Sequence, residues 1–353
     1  MKPPSVDRLW FAVPGDIETR TGGTIYDKKV LGELRQLGWA VEHLEWPSSF
    51  PLPTAVDIET VAASLAACPD GALVMIDGLA FGVLPDVMAV EARRLRLVAL
   101  VHHPLALESG LTPDVAQRFL ASEREALKHV RTIVVTSEAT AATLETDFGI
   151  AASAITVATP GIDKPDPLRA RAVNAIPELL AVGTVIPRKA FDVLVDALAR
   201  ITDVNWHCTI AGSLDRAPET AAALRRQIDH HGLNERVALI GEVDDPTALY
   251  EMADIFVSSS RYEGYGMAIA EAIAYGLPVI AARGGSVADV VPDSAGILVP
   301  ADDPPALAEA LRIMIADPAA RRNYSLGATA AAAHFASWRD TAELIASALH
   351  AVQ

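Results

Sequence analysis

Short apolar runs alternate along the chain with longer stretches in which apolar residues recur at helical spacing. In the first half these runs occupy residues 9–13, 40–44, 72–76, 97–101, 130–136 and 154–158, and in the second half 178–182, 206–211, 237–240, 255–258, 278–281 and 296–299. Helical patterns lie between them, most clearly at 25–37, 56–67, 84–94 and 266–275. Continuous apolar strands separated by helices are typical of parallel sheets covered on both faces, so the pattern predicts an α/β fold.

The richest turn cluster of the chain divides this pattern in two. Pro160-Gly161 is followed at residues 163–167 by Asp-Lys-Pro-Asp-Pro, and the strand and helix rhythm restarts beyond it. We therefore expect an N-terminal domain over residues 1–165 and a C-terminal domain over residues 166–335. Open α/β sheets bind ligands at the carboxyl ends of their strands, so we also expect a ligand cleft between the two sets of strand ends.

Composition and charge exclude several classes of protein. Hydrophobic residues make up 51% of the 353 positions, which is enough to bury two cores and argues against disorder. The net charge of −16 opposes a broad contact with nucleic acid. Two isolated cysteines, Cys68 and Cys208, favour a reducing compartment over a disulfide framework. With no apolar leader and no apolar run of about 18 residues, we expect a cytoplasmic protein without an integral membrane segment.

The most informative segment places two glutamates around a glycine-rich strand-to-helix turn. Gly264 and Gly266 bare the backbone where a helix begins, and helix N-termini attract phosphate groups. Glu263 precedes this turn and Glu271 lies about 7 Å along the helix at 1.5 Å per residue, so carboxylates flank the phosphate position. Such a pair suits a sugar nucleotide. With 45 acidic residues, two glutamates eight positions apart also arise by chance, and a solvated helix charge remains the alternative at this point.

Residues 263–271, E-G-Y-G-M-A-I-A-E, followed by A-I-A-Y-G-L-P-V-I-A, resemble the E-x7-E signature of family 4 retaining glycosyltransferases. Segments 181–197, 210–213, 241–242, 249–260 and 284–291 are similar to the same family, and the resemblance covers about residues 130–350. It implies the GT-B fold, with two facing Rossmann-like domains and a donor/acceptor cleft between them. It also implies that the C-terminal helix, within residues 336–353, crosses back to the N-terminal domain, anchored by Phe335 and Trp338.

The resemblance assigns roles to the second half. Glu263 would hold hydroxyls of the donor sugar and Glu271 the ribose, while Arg188 and Lys189 would neutralise the leaving diphosphate, a strong catalytic effect for fixed cations. The remaining donor-binding positions are Gly183, Gly241, Glu242, Gly264, Tyr265, Gly266 and Met267. The chain departs from the family at Thr184, where many members have Arg, and at Asp289, where many have Glu.

In the first half the resemblance points to Gly22 and Gly23, in the loop between the first strand and the first helix. There the backbone would approach the donor diphosphate. His102 and His103 follow the strand at 97–101; relatives place one histidine near the reacting sugar, and the sequence leaves open which one corresponds. No carboxylate or cysteine at metal-ligand spacing accompanies them, so no metal or other cofactor is expected. Glu108, Arg118 and Lys128 are open alternatives between acceptor contacts and ordinary surface charges.

The expected function is a retaining glycosyltransferase that moves a sugar from a nucleotide-diphosphate sugar to a hydroxyl acceptor, which is a small molecule, a glycan or a lipid-linked compound. Alternatives are a GT-B sugar-nucleotide epimerase or hydrolase and a non-catalytic sugar-nucleotide-binding protein. A dinucleotide-dependent oxidoreductase is disfavoured because residues 264–269 lack the third glycine of G-x-G-x-x-G and the acidic residue that should follow about 20 positions later.

Overall fold

The computed structural model describes residues 7–108, 110–165 and 174–352, and it divides the chain into two compact units. The first unit extends to Gly161 and includes the segment from Ala336 onward, and the second runs from Ile162 to Phe335. The division precedes the predicted boundary at residue 165 because Ile162 already packs in the core of the second unit. Asp166 and Pro167, the end of the predicted linker, lie outside the described residues.

The first unit is built on a parallel six-stranded sheet. Its strands are β1 (Arg8–Pro14), β2 (Ala40–Trp46), β3 (Leu73–Asp77), β4 (Arg96–Val101), β5 (Thr132–Val135) and β6 (Ile155–Val157). They lie in the order β2-β1-β3-β4-β5-β6, so the direction of strand addition reverses between β1 and β3. Strands β3 and β5 are buried throughout, as expected of strands covered by helices on both faces.

Among the described residues, six helices follow these strands. They are α1 (Gly22–Gln36), α2 (Ala55–Ala66), α3 (Gly78–Phe81), α4 (Pro85–Glu91), α5 (Pro113–Leu127) and α6 (Glu138–Phe148). A single 3₁₀ turn at Leu105–Leu107 lies between β4 and α5.

The second unit holds another parallel six-stranded sheet. Its strands are β7 (Glu178–Val182), β8 (His207–Ala211), β9 (Val237–Gly241), β10 (Ile255–Ser258), β11 (Val279–Ala282) and β12 (Gly296–Val299). The order is β12-β11-β10-β7-β8-β9, which is the Rossmann order read from the opposite edge. Here the reversal lies between β7 and β10, and a 3₁₀ turn at Pro187–Lys189 follows β7.

The remaining helices are α7 (Phe191–Leu198), α8 (Pro218–His230), α9 (Thr247–Met252), α10 (Met267–Ala274), α11 (Val287–Val290), α12 (Pro304–Ala316), α13 (Pro318–Ala332) and α14 (Trp338–His350). Helix α14 is the last helix in chain order, but it belongs to the first unit and packs against α1. The Trp338 ring meets Tyr26 edge-on at 5.8 Å, and Thr341 Oγ1 donates to the Thr159 carbonyl at 2.7 Å. A side chain at Gly161 would overlap the Trp338 backbone, so a glycine is required there.

The α/β prediction is confirmed, and each of the twelve predicted strands is present with ends within two residues of its expected place. The placement of Gly22 and Gly23 in a loop is wrong, since they are the first two residues of α1. Thr21 and Thr24 form a reciprocal capping box, and the helix therefore starts at Gly22. Within the described residues, no helix combines the length and the apolar character needed to cross a membrane.

Candidate functional site

Three of the predicted residues meet where the second sheet reverses direction. Arg188 and Lys189 lie on the 3₁₀ turn after β7, and Glu263 lies in the loop after β10. Lys189 Nζ is 2.6 Å from Glu263 Oε1, and Arg188 Nη1 is 3.4 Å from Glu263 Oε2. Arg188 Nη1 also donates to the Tyr262 carbonyl at 2.8 Å. Ligands of open α/β sheets bind at such reversal points, so the cluster lies where a ligand is expected.

The environment of Glu263 keeps its carboxylate ionised. The residue is only 6% exposed, and burial alone would raise the pKa of its carboxyl group. Lys189 and Arg188 outweigh this effect and lower the pKa of Glu263 to about 2. A carboxylate has about four lone-pair sites, and Ser260 hydrogen-bonds to Glu263 as well as the two cations, so one site is left for a further donor.

Gly183 leaves room for the side chain of Lys189. A Cβ atom at Gly183 would lie 3.0 Å from Lys189 Cε and 3.2 Å from Lys189 Cδ, which is tighter than ordinary side-chain contact. The predicted donor-binding glycine therefore shapes this site through the lysine stem.

Helix α10 begins directly after the loop that carries Glu263. Gly266 is its N-cap, with a left-handed φ of 96° that favours glycine, and no side chain caps the helix. The Ile269 amide donates to the Gly266 carbonyl at 2.9 Å, while the amides before it at the start of the helix have no intrahelical acceptors and carry the positive end of the helix dipole. Together with Gly264, Tyr265 and Met267, Gly266 thus forms an anion-attracting turn next to the Glu263 cluster.

Glu271 is fixed by a residue that the sequence did not single out. The Tyr250 hydroxyl donates to Glu271 Oε2 at 2.7 Å from the buried face of α9. The Tyr250 ring stacks on Tyr275 with centroids 5.2 Å apart, and burial, reinforced by Glu271, raises the pKa of Tyr250 well above its usual value. The carboxylate on α10 therefore has one oxygen held in a defined direction.

Residues 284–286 hold the Glu263 loop in place. The Ser286 amide donates to the Glu263 carbonyl at 3.0 Å, and Ser286 Oγ donates to the Tyr265 carbonyl at 2.7 Å. Side chains at Gly284 or Gly285 would overlap the carbonyls of Arg261 and Glu263 respectively. The sequence signal for this support is the Gly-Gly-Ser run at residues 284–286, to which we assigned no role. Asp289, where the chain departs from the family, lies exposed on α11.

Gly241 and Glu242 lie at the end of β9 and line a separate pocket. Its other lining residues are Ser213, Leu214, Asp215, Pro218 and Arg225, and it includes neither Glu263 nor the two cations. The Gly241 carbonyl accepts from the Gly212 amide at 2.8 Å, and Gly241 has a left-handed φ of 80°. Their proposed part in donor binding stays a prediction.

In the first unit, His102 lies where that sheet reverses. Its Nε2 atom is 3.1 Å from Asp27 Oδ1 on α1 and 3.1 Å from Asp77 Oδ2 at the end of β3. Burial opposes a charge on the imidazole, but Asp27 and Asp77 outweigh it and raise the pKa of His102 to about 10. Burial likewise raises the pKa of Asp27, with a further contribution from Asp77, while His102 lowers it.

His103 has different surroundings. Its Nε2 lies 3.3 Å from Glu108 Oε2, and neither group is fully buried. The turn that follows is held by Glu123 on α5, whose Oε2 accepts the Leu105 amide at 3.1 Å; burial raises the pKa of Glu123 to about 8. Among the other open candidates, Arg118 is exposed on α5 and Lys128 pairs with Glu125 at 2.6 Å.

Asp27, Asp77 and His102 also form the only group of three acidic, histidine or cysteine ligand atoms within 4.8 Å of one another in the part of the chain that the structure describes. The residues come from three separate elements, so their spacing in the sequence carried no signal.

Two family profiles match the chain, glycosyl transferases group 1 over residues 176–317 and glycosyltransferase family 4 over residues 79–164. A D-inositol 3-phosphate glycosyltransferase of an Arthrobacter species (strain FB24) is 30% identical over 292 residues, which cover 75% of this chain and 68% of that protein. The chain belongs to glycosyltransferase family 4. This family 4 chain spans 60% and 64% of the length of relatives of the same name from Xylanimonas cellulosilytica and Jonesia denitrificans.

Solved structures show the GT-B fold for the family 4 chain. Sucrose-phosphate synthase from Thermosynechococcus elongatus superposes with a TM-score of 0.81 and 20% identity, covering 98% of both chains. Anabaena Alr3699/HepE, solved in complex with UDP and glucose, gives a TM-score of 0.75 at 19% identity, covering 97% of this chain and 99% of that one.

Proposed function

We propose that this chain is a retaining glycosyltransferase that moves a sugar from a nucleotide-diphosphate donor to a hydroxyl acceptor. The observation that carries the proposal is the ionised Glu263 between Lys189 and Arg188 at the β7/β10 reversal. A helix with an uncapped, glycine-led N-terminus begins immediately after it, and Glu271 projects from that helix. These groups match the chemistry of a sugar, a diphosphate and a ribose.

Each group has a distinct task in this proposal. The α10 amides and the two cations bind the diphosphate, and the remaining lone-pair site of Glu263 accepts from a hydroxyl of the donor sugar. Glu271 accepts from the ribose hydroxyls. As the bond between the anomeric carbon and the phosphate oxygen breaks, negative charge grows on that oxygen, where Lys189 and Arg188 stabilise it. The protein's own cations thus do the work that a metal would otherwise do.

Transfer with retention forms the new bond on the face from which the old one breaks. The acceptor oxygen bonds to the anomeric carbon, the bond from that carbon to the phosphate oxygen breaks, and the acceptor proton moves to the departing phosphate. This route needs no nucleophilic side chain.

Experiment must identify the donor base, the sugar and the acceptor. HepE was solved with UDP and glucose, and several relatives, among them the Arthrobacter protein, are named D-inositol 3-phosphate glycosyltransferase. We therefore begin with UDP-glucose and an inositol phosphate, alongside GDP- and ADP-sugars and other hydroxyl acceptors. A cytoplasmic location stays a prediction.

A thermal-shift screen of these donors identifies the nucleotide, because a tight ligand must raise the melting temperature by mass action. NMR of the reaction with that donor then follows the anomeric signal. Transfer to an acceptor with unchanged anomeric configuration supports the proposal. Epimerised donor or free sugar in the presence of every acceptor would instead establish an epimerase or hydrolase, and inverted product would refute retention. Glu263→Gln is the control for activity that originates at this site.

A further inference from the structure

We propose that Asp27 and Asp77 are positioning residues for His102: they share its Nε2–H, fix the ring, and leave His102 to meet the substrate as a hydrogen-bond donor through Nδ1 rather than as a base. The hydrogen-bonding of the ring stands on its own, while the role toward a substrate rests on the proposed function. The inference also separates His102 from His103, which the sequence could not distinguish.

Geometry fixes the His102 ring from several sides. Asp77 Oδ1 accepts the Leu79 amide at 2.7 Å, so the carboxylate is oriented and its Oδ2 faces His102. Asp27 holds the same Nε2 from the buried face of α1. Tyr26, the neighbour of Asp27 on α1, meets the imidazole edge-on, with ring centroids 5.2 Å apart.

Charge balance favours a protonated ring. Asp27 and Asp77 are 1% and 4% exposed, so two carboxyl groups lie out of water beside each other. Asp27 Oδ2 has no hydrogen-bond partner among the described residues, and an imidazolium at His102 offsets one of the two carboxylate charges. Tyr26, a titratable group that packs on the ring, already donates its hydroxyl to the Ala158 carbonyl at 2.8 Å.

A ring held in this way has one chemical capability left. Nε2 donates to both carboxylates, and in the imidazolium Nδ1 also carries a proton, so neither nitrogen can accept one. His102 therefore cannot take the proton of an acceptor hydroxyl, because a general base must have an available lone pair. It can donate to a sugar or phosphate oxygen, and the acceptor proton must go elsewhere.

Nitrogen-15 NMR of the ligand-free protein tests the ring directly. The His102 signals, assigned with His102→Gln, should show both ring nitrogens protonated well above the ordinary histidine pKa of about 6.5. Asp27→Asn and Asp77→Asn should each lower the titration midpoint, while Glu91→Gln, a buried carboxyl of the same unit paired with Arg94, should leave it unchanged. A wild-type midpoint near the ordinary value overturns the proposal, and so does stoichiometric Zn²⁺ binding in calorimetry that His102→Gln abolishes.

Kinetics test the role toward substrate. Asn caps helices as well as Asp does, so Asp77→Asn should still accept the Leu79 amide. It should lower kcat by about 10²-fold with donor KM nearly unchanged, because a misplaced His102 ring costs about that much. An unchanged kcat in a variant whose ring titration has shifted would refute the positioning role. If no donor and acceptor pair reacts with wild-type protein, the proposed function fails while the NMR result still decides the state of His102.

Discussion

Lys189 Nζ lies 2.6 Å from Glu263 Oε1, so the cation expected at the donor phosphate and the carboxylate expected at the donor sugar hold each other. The two groups are expected to act on adjacent parts of one donor. Their contact fixes both side chains before a ligand arrives.

Removing the cations should affect turnover more than binding. Lys189→Ala should lower kcat by about 10²-fold or more, as removal of one preorganised group from a developing oxyanion does. Arg188→Lys should also lower kcat, because an ammonium cannot bridge two phosphate oxygens as a planar guanidinium does. Steady-state kinetics measure both. Arg312→Ala, which removes an exposed ion pair with Asp203 in the same unit, is the control, and near-normal kcat in a folded Lys189→Ala variant would refute the phosphate role.

Glu271 and Tyr250 should act together on the ribose. Glu271→Ala should weaken binding of the nucleoside diphosphate about tenfold or more, the scale of a hydrogen bond to a charged group. Tyr250→Phe should weaken it less, because the carboxylate remains but loses its fixed direction. Calorimetry with the ordinary and the 2′,3′-dideoxy nucleotide makes the comparison. If Glu271→Ala binds both nucleotides as wild type does, the ribose role is wrong. Glu263→Ala, by contrast, should lower turnover and leave nucleotide affinity nearly unchanged.

Chelation should leave activity nearly intact. In the proposed mechanism Arg188, Lys189 and the first turn of α10 stabilise the growing phosphate charge, so no divalent ion is required at that oxygen. The measurement is initial rate after dialysis against EDTA. Activity that disappears and returns with Mg²⁺ or Mn²⁺ would contradict the metal-free mechanism.

Two glycines of the first unit should respond in opposite ways to substitution. A Cβ at Gly23 would lie 3.4 Å from His102 Cδ2, an ordinary contact, so Gly23→Ala should fold with wild-type stability or better. Its kcat should fall if the backbone there approaches the diphosphate. Gly161→Ala should lower the melting temperature, because its side chain would overlap the Trp338 backbone. Full activity of Gly23→Ala would remove Gly23 from the donor site.

Glu123 should make stability depend on pH. Its native pKa is about 8, above the usual 4.5, so the protonated acid stabilises the fold fully below pH 4.5 and this contribution is lost as pH rises through 8. Glu123→Gln can still accept the Leu105 amide and has no proton to lose. Between pH 5 and 9, wild type should therefore lose roughly 4 kcal/mol relative to this variant, at about 1.36 kcal/mol per pKa unit. Urea unfolding at several pH values measures this difference, and parallel pH profiles would show that Glu123 is ionised in the native state.

The sequence by itself determined the strands, the α/β class and the segment that carries Glu263 and Glu271. Apolar periodicity and turn residues are local signals, readable within a few positions of each residue. The error at Gly22 and Gly23 arose between two local signals. The Thr21/Thr24 cap outweighed the usual association of glycine pairs with loops.

Only the tertiary structure decided which charged groups meet. Glu263 is 74 positions from Lys189, His102 is 75 from Asp27, and Tyr250 is 21 from Glu271. Whether such residues touch depends on strand order, and the two sheets use different orders although both were predicted from the same pattern. Sheet order is set by packing across the whole domain, so it places Asp27 and Asp77 around His102 without leaving a trace in the spacing of the residues themselves.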